Sequence, residues 1–310
     1  MMERTLVRLA MMVGCLLPLA LPVFAASLHD AFKAEQAYAY CAEIAGFGER
    51  WPGSPGHSKT EDLIHQVLEK DGAQVESDNF VATTPLGPIA VHNIIGKFNT
   101  RVDPKQRIFI LTGHYDTLIK PGFIGANDGA SSTAILLAFA DALAHQKVAM
   151  QIWLIWTDLE EAVHAFDGKD GLYGSRHLAR KLMANGTISR IRGVFLLDMI
   201  GYKNLSVARE MGSSRSLQNY IAQAANQLGY AQYFFRYDAN ITDDHESFIQ
   251  VGIPAVDVVD AEYGRTGAGF DSMGEFHHTN ADTMDKVSQH SFEVVGRTIL
   301  LAVELLDEQN

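Results

Sequence analysis

The chain has 310 residues, of which 47% are hydrophobic, and it is therefore long and apolar enough to bury a sizeable core. Its formal net charge of -12 argues against nucleic acid or an anionic membrane surface as the main partner, because both attract basic proteins. No Pro/Ser/Gly-rich linker divides the sequence, so residues 26–310 are predicted to form a single domain.

Residues 1–25 have the features of a secretory signal peptide. Two arginines precede an apolar stretch over residues 9–24, and Ala25 offers a small residue at the cleavage position. The stretch contains two prolines and is short for a membrane span, and the segment around Cys15 is only weakly similar to a lipoprotein cleavage box. We therefore predict that the protein is exported, periplasmic or secreted, without stable membrane association.

Strand-like and helix-like segments alternate along the rest of the chain. The predicted strands are residues 74–82, 92–98, 107–115, 151–157, 193–199 and 253–259, and the predicted helices are residues 130–145, 172–184, 214–228, 243–250 and 288–306. The first two strands form an antiparallel edge pair joined through residues 85–88, and the other four are continuous apolar runs, typical of strands buried on both faces. This order predicts an α/β fold, a three-layer α/β/α sandwich with a central mixed, mainly parallel sheet.

Five metal-competent side chains lie at strand ends or in the loops that follow them. They are His114, Asp128, Glu161, Asp198 and His278. Ligands of such sheets bind beyond the carboxyl ends of the strands. Because two imidazoles and three carboxylates form a donor set that suits zinc, we predict a zinc-dependent enzyme.

Single residues of this set have competing interpretations. Asp128 directly precedes a predicted helix and could instead be its N-cap. Glu160 and Glu161 follow the most hydrophobic strand, and neighbouring residues there point in different directions, so one can bind metal while the other acts as a general base. Asp198 lies within an apolar run, where a carboxylate costs free energy unless it is paired or bound to a cation.

The later polar segments are less specific. His277 and His278 form a histidine pair in a polar loop, where such pairs are most often surface residues, and Thr283 or Asp282 is a candidate cap of the last helix. Asp243 opens another helix and precedes His245, which is available to orient metal ligands. The sequence contains no Gly-x-Ser-x-Gly nucleophile pattern.

Taken together, the motifs resemble the M28 family of zinc aminopeptidases. They are HYD, GANDGA, the Glu-Glu pair, LLDMIG, DDH and HTNADT, in that order and spacing. Within this family the sequence is most similar to the animal-type glutaminyl-peptide cyclotransferases and their bacterial relatives. RWPGSPG at residues 50–56 and the insertion AVHAFDGKDG at residues 162–171 indicate that branch.

The resemblance implies one catalytic zinc ion per chain, held by Asp128, Glu161 and His278. It also implies that Glu160 is the acid–base group and that Asp198 and Asp243 belong to a hydrogen-bonded network beside it. The expected substrates are peptides or proteins with an N-terminal glutamine, which would be cyclised to pyroglutamate with release of ammonia.

Two features differ from the animal enzymes. Phe166 and His277 occupy substrate-pocket positions at which those enzymes have tryptophan, so one wall of the pocket is titratable here. The segment of residues 260–276 is longer and rich in glycine, which leads to the hypothesis that it forms a lid over the pocket.

The main alternative is a dinuclear zinc aminopeptidase of the same family. In that enzyme His114 and Asp198 would bind a second metal, Asp128 would bridge the two ions, and Glu160 would activate water. A non-catalytic binding domain, as in transferrin-receptor-like ectodomains, is a third interpretation. It is disfavoured because such domains usually lose ligands or the base, and this sequence retains all of them.

Overall fold

The computed structural model describes residues 27–101, 103–166, 168–264 and 273–309. Its strands are β1 (Gln74–Thr84), β2 (Gly87–Phe98), β3 (Ile108–His114), β4 (Gln151–Thr157), β5 (Ile191–Asp198), β6 (Val207–Glu210), β7 (Phe234–Ala239) and β8 (Ala255–Val259). Its α-helices are α1 (Leu28–Ala31), α2 (Ala34–Gly46), α3 (Pro55–Lys70), α4 (Ala130–His145), α5 (Tyr173–Ala184), α6 (Arg215–Gln227), α7 (Asp244–Gln250) and α8 (Gln289–Asp307). The signal-peptide prediction with Cys15, and residues 265–272 of the predicted lid, lie outside the described residues.

The main sheet has six strands in the order β1-β2-β4-β3-β5-β8. The β1–β2 and β2–β4 pairs are antiparallel, whereas β4–β3, β3–β5 and β5–β8 are parallel. β6 and β7 form a separate two-stranded parallel sheet. The prediction of a mixed, mainly parallel central sheet is therefore confirmed.

Alternating side chains of the central strands pack on opposite faces of the sheet, as the period of two along a strand requires. In β3, Phe109 and Leu111 belong to the larger core cluster, and Ile108 and Ile110 belong to a second cluster. Helices α1–α4, α6 and α8 contribute to the larger cluster, and α5 and α7 contribute to the second. The sheet is thus covered by helices on both faces, as the continuous apolar runs predict.

Three regions differ from the sequence prediction. The β1–β2 ladder continues to the pair Thr84–Gly87, so only residues 85–86 form the turn and both strands are longer than predicted. Helices α2 and α3, although amphipathic, and the small sheet of β6 and β7 were not predicted. Helix α3 begins after Ser54, whose side chain caps it, with Pro55 in its first turn, which is a recognisable start signal.

Among the described residues, no helix is both long enough and apolar enough to cross a bilayer.

Candidate active site

The structure brings the predicted metal-competent residues together at the carboxyl ends of the parallel strands. His114 is the last residue of β3, Asp198 is the last residue of β5, and Glu161 follows β4. Asp128 lies in the loop before α4, and His278 lies in the loop that precedes α8. Parallel strands present their carboxyl ends at one edge of the sheet, and this is why residues so distant in sequence converge there.

A pocket with a volume of about 370 Å³ opens at this edge. Its lining comprises Asp128, Glu160, Glu161, Phe166, Asp198, Asn240, Ile241, Thr242, Asp243, Met273, His277 and His278. Nearly all predicted site residues therefore line one pocket. Residues 240–242 and Met273 were not predicted, because they are ordinary loop residues in the sequence and only the fold carries them to the site.

Two sets of metal-competent groups meet at Asp128. In the outer set, the Nε2 atom of His278 lies 3.0 Å from the Oε2 atom of Glu161 and 3.5 Å from the Oδ2 atom of Asp128. In the inner set, the Nε2 atom of His114 lies 3.3 Å from the Oδ1 atom of Asp128 and 3.2 Å from the Oδ1 atom of Asp198. We refer to them as the outer face (Asp128, Glu161, His278) and the inner face (His114, Asp128, Asp198).

The inner face, and a set that shares Asp128 and His278 with the outer face, have the dimensions of a metal site. The inner face offers one ligand atom from each residue within 4.8 Å of the others, and so does the combination of Asp128, His277 and His278. The imidazole rings of His277 and His278 stack with centroids 3.7 Å apart. His277 is thus close enough to the outer face to be a ligand as well as a wall of the pocket.

The charges of the outer face shift the pKa values of its members. Burial lowers the pKa of His278, but Glu161 and Asp128 outweigh it and raise the value to about 9. Burial and the charge of Asp128 raise the pKa of Glu161. Burial also acts to raise the pKa of Asp128, yet the hydrogen bond to His114 and the charge of His278 hold it well below its usual range. The face thus attracts positive charge.

The donor atoms on the outer face fit a bound cation. The Oδ2 atom of Asp128 and the Oε1 atom of Glu161 are buried and accept no hydrogen bond from any described residue. Buried carboxylate oxygens without a partner cost free energy unless they are bound to a cation. Carboxylate and imidazole donors suit zinc, so the residues present fit that ion.

Glu160 and Asp243 are two carboxyl groups of the pocket whose surroundings strongly disfavour the charged form. Burial raises the pKa of Glu160 well above the usual value, and the charge of Asp243 adds to the rise. Burial raises the pKa of Asp243 as well, with a contribution from Asp198. A carboxyl group with a raised pKa is suited to exchange protons near neutral pH.

Neighbouring polar groups fix the turn after β4 and the His278 loop. The carboxylate of Asp116 accepts hydrogen bonds from the backbone N–H groups of Glu160 and Glu161, at 3.1 and 3.2 Å. The ammonium group of Lys120 donates to the carbonyl of His278 at 2.7 Å. His278 itself has a φ of 55°, in the left-handed region, a strained conformation that such contacts must maintain.

Two polar residues have roles other than the predicted ones. The carboxylate of Asp282 accepts hydrogen bonds from the backbone N–H groups of Asn127 and Asp128, and Ser288 caps α8, so the assignment of Asp282 as the helix cap was wrong. His245 is buried, with its Nε2 atom 3.2 Å from Glu210 and its Nδ1 atom 3.8 Å from Asp257. It therefore contacts none of the five predicted ligands.

The two carboxyl groups predicted to form a network beside Glu160 have different hydrogen-bond partners among the described residues. Asp198 is hydrogen-bonded to His114, and the side chain of Asp243 accepts a hydrogen bond from the backbone N–H of Asp244 at the start of α7. Electrostatics, not a direct hydrogen bond, connects Asp243 to Glu160. The catalytic roles of these carboxyl groups stay predictions.

The insertion after Glu161 forms one side of the pocket. Its ends meet, because the N–H of Leu172 donates to the carbonyl of Glu160 at 2.7 Å. Asp170 accepts hydrogen bonds from three successive backbone N–H groups at residues 163–165. This closed loop carries Phe166, whose side chain is 48% exposed and lines the pocket.

Comparisons with known proteins agree with this geometry. Residues 93–303 match the model of Peptidase family M28. A glutaminyl-peptide cyclotransferase of Drosophila melanogaster is 28% identical over 282 residues, which cover 82% of this chain and 76% of that protein. The crystal structure of an Acidobacteriales bacterium glutaminyl cyclase has a TM-score of 0.84 and 34% identity, covering 90% of this chain and 96% of that one. A Zn-dependent exopeptidase from Parabacteroides distasonis has a TM-score of 0.77 and 25% identity, covering 89% and 98%.

The chain therefore belongs to peptidase family M28 and, within it, to the branch of the glutaminyl cyclases. The family and branch indicated by the sequence motifs are both confirmed.

Proposed function

We propose that this protein is a glutaminyl-peptide cyclotransferase, which converts the N-terminal glutamine of peptides and proteins to pyroglutamate and releases ammonia. The observation that carries the proposal is the position of Glu160, a partly exposed carboxyl group with a raised pKa that lines the same pocket as the outer face. The similarity to a bacterial glutaminyl cyclase over nearly its whole length supports this activity over others in the family.

Asp128, Glu161 and His278 would hold one zinc ion at the outer face. The unpartnered oxygen atoms of Asp128 and Glu161 support this assignment, since a cation would satisfy both. When bound there, zinc supplies a Lewis acid that polarises a carbonyl oxygen and stabilises negative charge developing on it.

Glu160 performs the proton transfers in the proposed reaction. Its carboxylate accepts a proton from the α-amine of the substrate as the amine nitrogen bonds to the side-chain amide carbon. The protonated Glu160 then donates that proton to the amide nitrogen, the carbon–nitrogen bond breaks, and ammonia leaves. The products are a five-membered lactam and ammonia, and Glu160 returns to its starting state.

The enzyme's remaining task is to hold the substrate in a folded rotamer. The amine and the amide belong to one residue, so orientation replaces the encounter of two molecules. Phe166 and the stacked pair of His277 and His278 line the pocket and would confine the glutamine side chain. Asp243 would support Glu160 by helping burial to keep its pKa high, and Asp198 would act in the same way on Asp243.

A dinuclear aminopeptidase is the second candidate. The inner face supports it, because His114, Asp128 and Asp198 offer three ligand atoms within 4.8 Å. In that case a second zinc would lie at the inner face, and Glu160 would take its proton from water. Zinc content separates the two candidates.

We further propose that residues 1–25 are a cleaved signal peptide, that residues 26–310 are the mature catalytic domain, and that the mature protein acts in the periplasm or is secreted. The arginines and the apolar stretch of the N-terminal segment support export. N-terminal sequencing of the protein from a secreting host tests this, since cleavage near Ala25 is the expected result.

The activity is tested by ammonia release from Gln-β-naphthylamide, measured beside cleavage of Leu-p-nitroanilide on the same preparation. Release of ammonia without nitroaniline, at about one zinc per chain and with loss on chelation, is the expected result. Release of nitroaniline at two metals per chain would move the protein to the aminopeptidases. Neither product, with full zinc content, would refute both candidates.

A further inference from the structure

The backbone of the loop that carries Asp128 is bound from one side by the guanidinium of Arg50. This group is buried and donates hydrogen bonds to five carbonyls. They belong to Gly48 (3.3 Å), Tyr115 (3.1 Å), Ile124 (2.5 Å), Gly125 (2.9 Å) and Asp128 (3.3 Å). Three of the five lie in the loop before α4, so one side chain binds several carbonyls of a segment that has no regular secondary structure.

Asp282 binds the same loop by accepting hydrogen bonds from the loop's backbone N–H groups. Its Oδ1 atom accepts from the N–H of Asn127 at 2.8 Å, and its Oδ2 atom accepts from the N–H of Asp128 at 3.0 Å. The hydroxyl of Tyr263 donates to the Oδ1 atom at 2.5 Å. The carboxylate is completely buried. Arg50 and Asp282 thus hold the carbonyls and the amides of one loop while remaining out of contact with each other.

The backbone of the loop lies so close to the guanidinium of Arg50 that it leaves no room for a Cβ atom at two glycines. Gly125 and Gly129 have φ of 51° and 86°, and a Cβ atom at either position would approach the Nη2 atom of Arg50 to 3.1 or 3.2 Å. It would also come within 2.3 Å of the carbonyl oxygen of Asp128 or within 2.6 Å of that of Asp116. The glycines of the GANDGA motif are therefore explained by the Arg50 contact and by the turn.

Neither charge has a direct counter-ion. Among the described ion pairs, none includes Arg50 or Asp282, although the charge of Asp282 acts against the lowering of the Arg50 pKa by burial. An isolated buried charge is costly, so its energy depends on the dipoles that solvate it. Here many of those dipoles are peptide groups next to Asp128, and displacing the loop would remove three of the five carbonyls that bind Arg50 and both backbone N–H groups that bind Asp282. The position of Asp128 is thereby fixed.

We propose that Arg50 and Asp282 are positioning residues that clamp the Asp128 loop from opposite sides and preorganise the outer face for its metal. Asp282 also follows His278 by four residues, so the clamp joins the segments of two proposed ligands. The inference rests on the proposed function for the identity of the metal as zinc. It does not depend on which reaction the enzyme catalyses.

The test uses the variants Arg50→Lys and Asp282→Asn, with Arg107→Gln as the control because the Arg107 guanidinium binds a carbonyl at an exposed position, that of Ser189. Zinc affinity is measured by competition with a chelator, and amide hydrogen exchange of residues 123–130 is measured in the metal-free protein. We expect zinc binding to weaken by about 10–100-fold in both clamp variants, as for other outer-shell partners, with faster exchange in that segment. The control should match the wild type.

Lysine keeps the positive charge but cannot span the carbonyls with its single ammonium group. If Arg50→Lys has wild-type zinc affinity and wild-type amide exchange, the proposed role of the Arg50 guanidinium is refuted. If Asp282→Asn has them, the proposed clamp is refuted. If either variant fails to fold, Tyr263→Phe removes only the hydroxyl bond to Asp282. A folded Tyr263→Phe protein must then show at least a measurable, severalfold loss of zinc affinity, and an unchanged affinity would refute the proposal. Both readouts are independent of turnover, so a negative cyclase assay would not affect them.

Discussion

The outer and inner faces contain the same kinds of side chain, yet they differ in how their donor atoms are satisfied. On the inner face the His114 side chain is 2% exposed and its Nε2 atom is hydrogen-bonded to Asp198, while its buried Nδ1 atom has no hydrogen-bond partner among the described residues. The outer face is open to the pocket, since the His278 side chain is 37% exposed, and it leaves carboxylate oxygens without a hydrogen-bond partner.

This difference indicates which face needs a cation. On the inner face, burial lowers the pKa of His114, but Asp116, Asp128 and Asp198 outweigh it and raise the value well above the usual one. The pKa of His278 on the outer face is raised as well, to about 9, so the two faces are distinguished by their unpartnered carboxylate oxygens and not by these shifts. On the outer face, hydrogen bonds do not complete the coordination of Asp128 and Glu161. A cluster of suitable residues is therefore weaker evidence for a metal than the presence of unsatisfied donor atoms.

The largest effect is expected from His278→Ala, which removes an outer-face ligand. Zinc content should fall to a small fraction of one ion per chain, and activity should fall with it, because the two remaining carboxylates leave coordination incomplete. Metal analysis of the purified variant is the measurement. His277→Ala is the matched comparison and should retain zinc; if it instead loses the metal, the neighbouring imidazole is the ligand.

Glu160→Gln should lower kcat by about 10²–10⁴-fold with zinc retained, because the amide cannot exchange the proton. Steady-state kinetics and metal analysis of the same sample measure the two effects. Glu161→Gln is its partner in the experiment and should lose zinc. The opposite pattern, with metal lost from the Glu160 variant, would mean that the two adjacent carboxyl groups have exchanged roles.

His114→Ala tests whether the inner face holds a metal. For a one-zinc enzyme we expect zinc to stay near one ion per chain, with activity reduced by about 10–100-fold, as when other outer-shell partners are removed. The reduction follows from leaving Asp198 and Asp128 without the imidazole that pairs them. A wild-type content of two ions that falls to one in this variant would favour the dinuclear aminopeptidase.

Asp243→Asn should have the smallest effect, a displacement of the pH profile. Glu160 must be ionised to accept a proton, so kcat/KM decreases as pH falls through its pKa. Burial and the charge of Asp243 both raise that pKa, and removing the charge lowers it. The acidic limb of the kcat/KM profile should therefore move to lower pH. At the plateau, kcat/KM should change by much less than the about 10²-fold cost of losing an acid–base group. Asp238→Asn, at an exposed position, is the control, and an unmoved limb in Asp243→Asn would exclude this influence.

The parts of the site that sequence analysis could predict are those with a local cause. His114, Glu161 and Asp198 each end or follow an apolar run, and the run predicts both the strand and the edge of the sheet at which it stops. The family motifs then added Asp128 and His278, whose local contexts suggest a helix cap and a surface loop.

The remaining parts depend on contacts between distant segments. The N–H groups that Asp282 binds lie in another loop, so the sequence offered only the nearby helix as a reason for an aspartate there. Arg50 was recognised as part of a motif, yet nothing local indicates that its guanidinium is buried among carbonyls. The pocket wall at residues 240–242 has no sequence pattern, because it is the loop between β7 and α7 and its position depends on where the fold places those two elements.

The outer-face residues are far apart in the sequence, and this separation determines at which stage of synthesis and folding the protein can bind its metal. His278 follows β8, the last strand of the sheet, so a nascent chain exposes its complete ligand set only near the end of translation. Contacts between such distant segments form slowly, because the intervening chain must first be ordered. Zinc uptake would then accompany the final stage of folding, and fragments released early from the ribosome would lack a complete outer face.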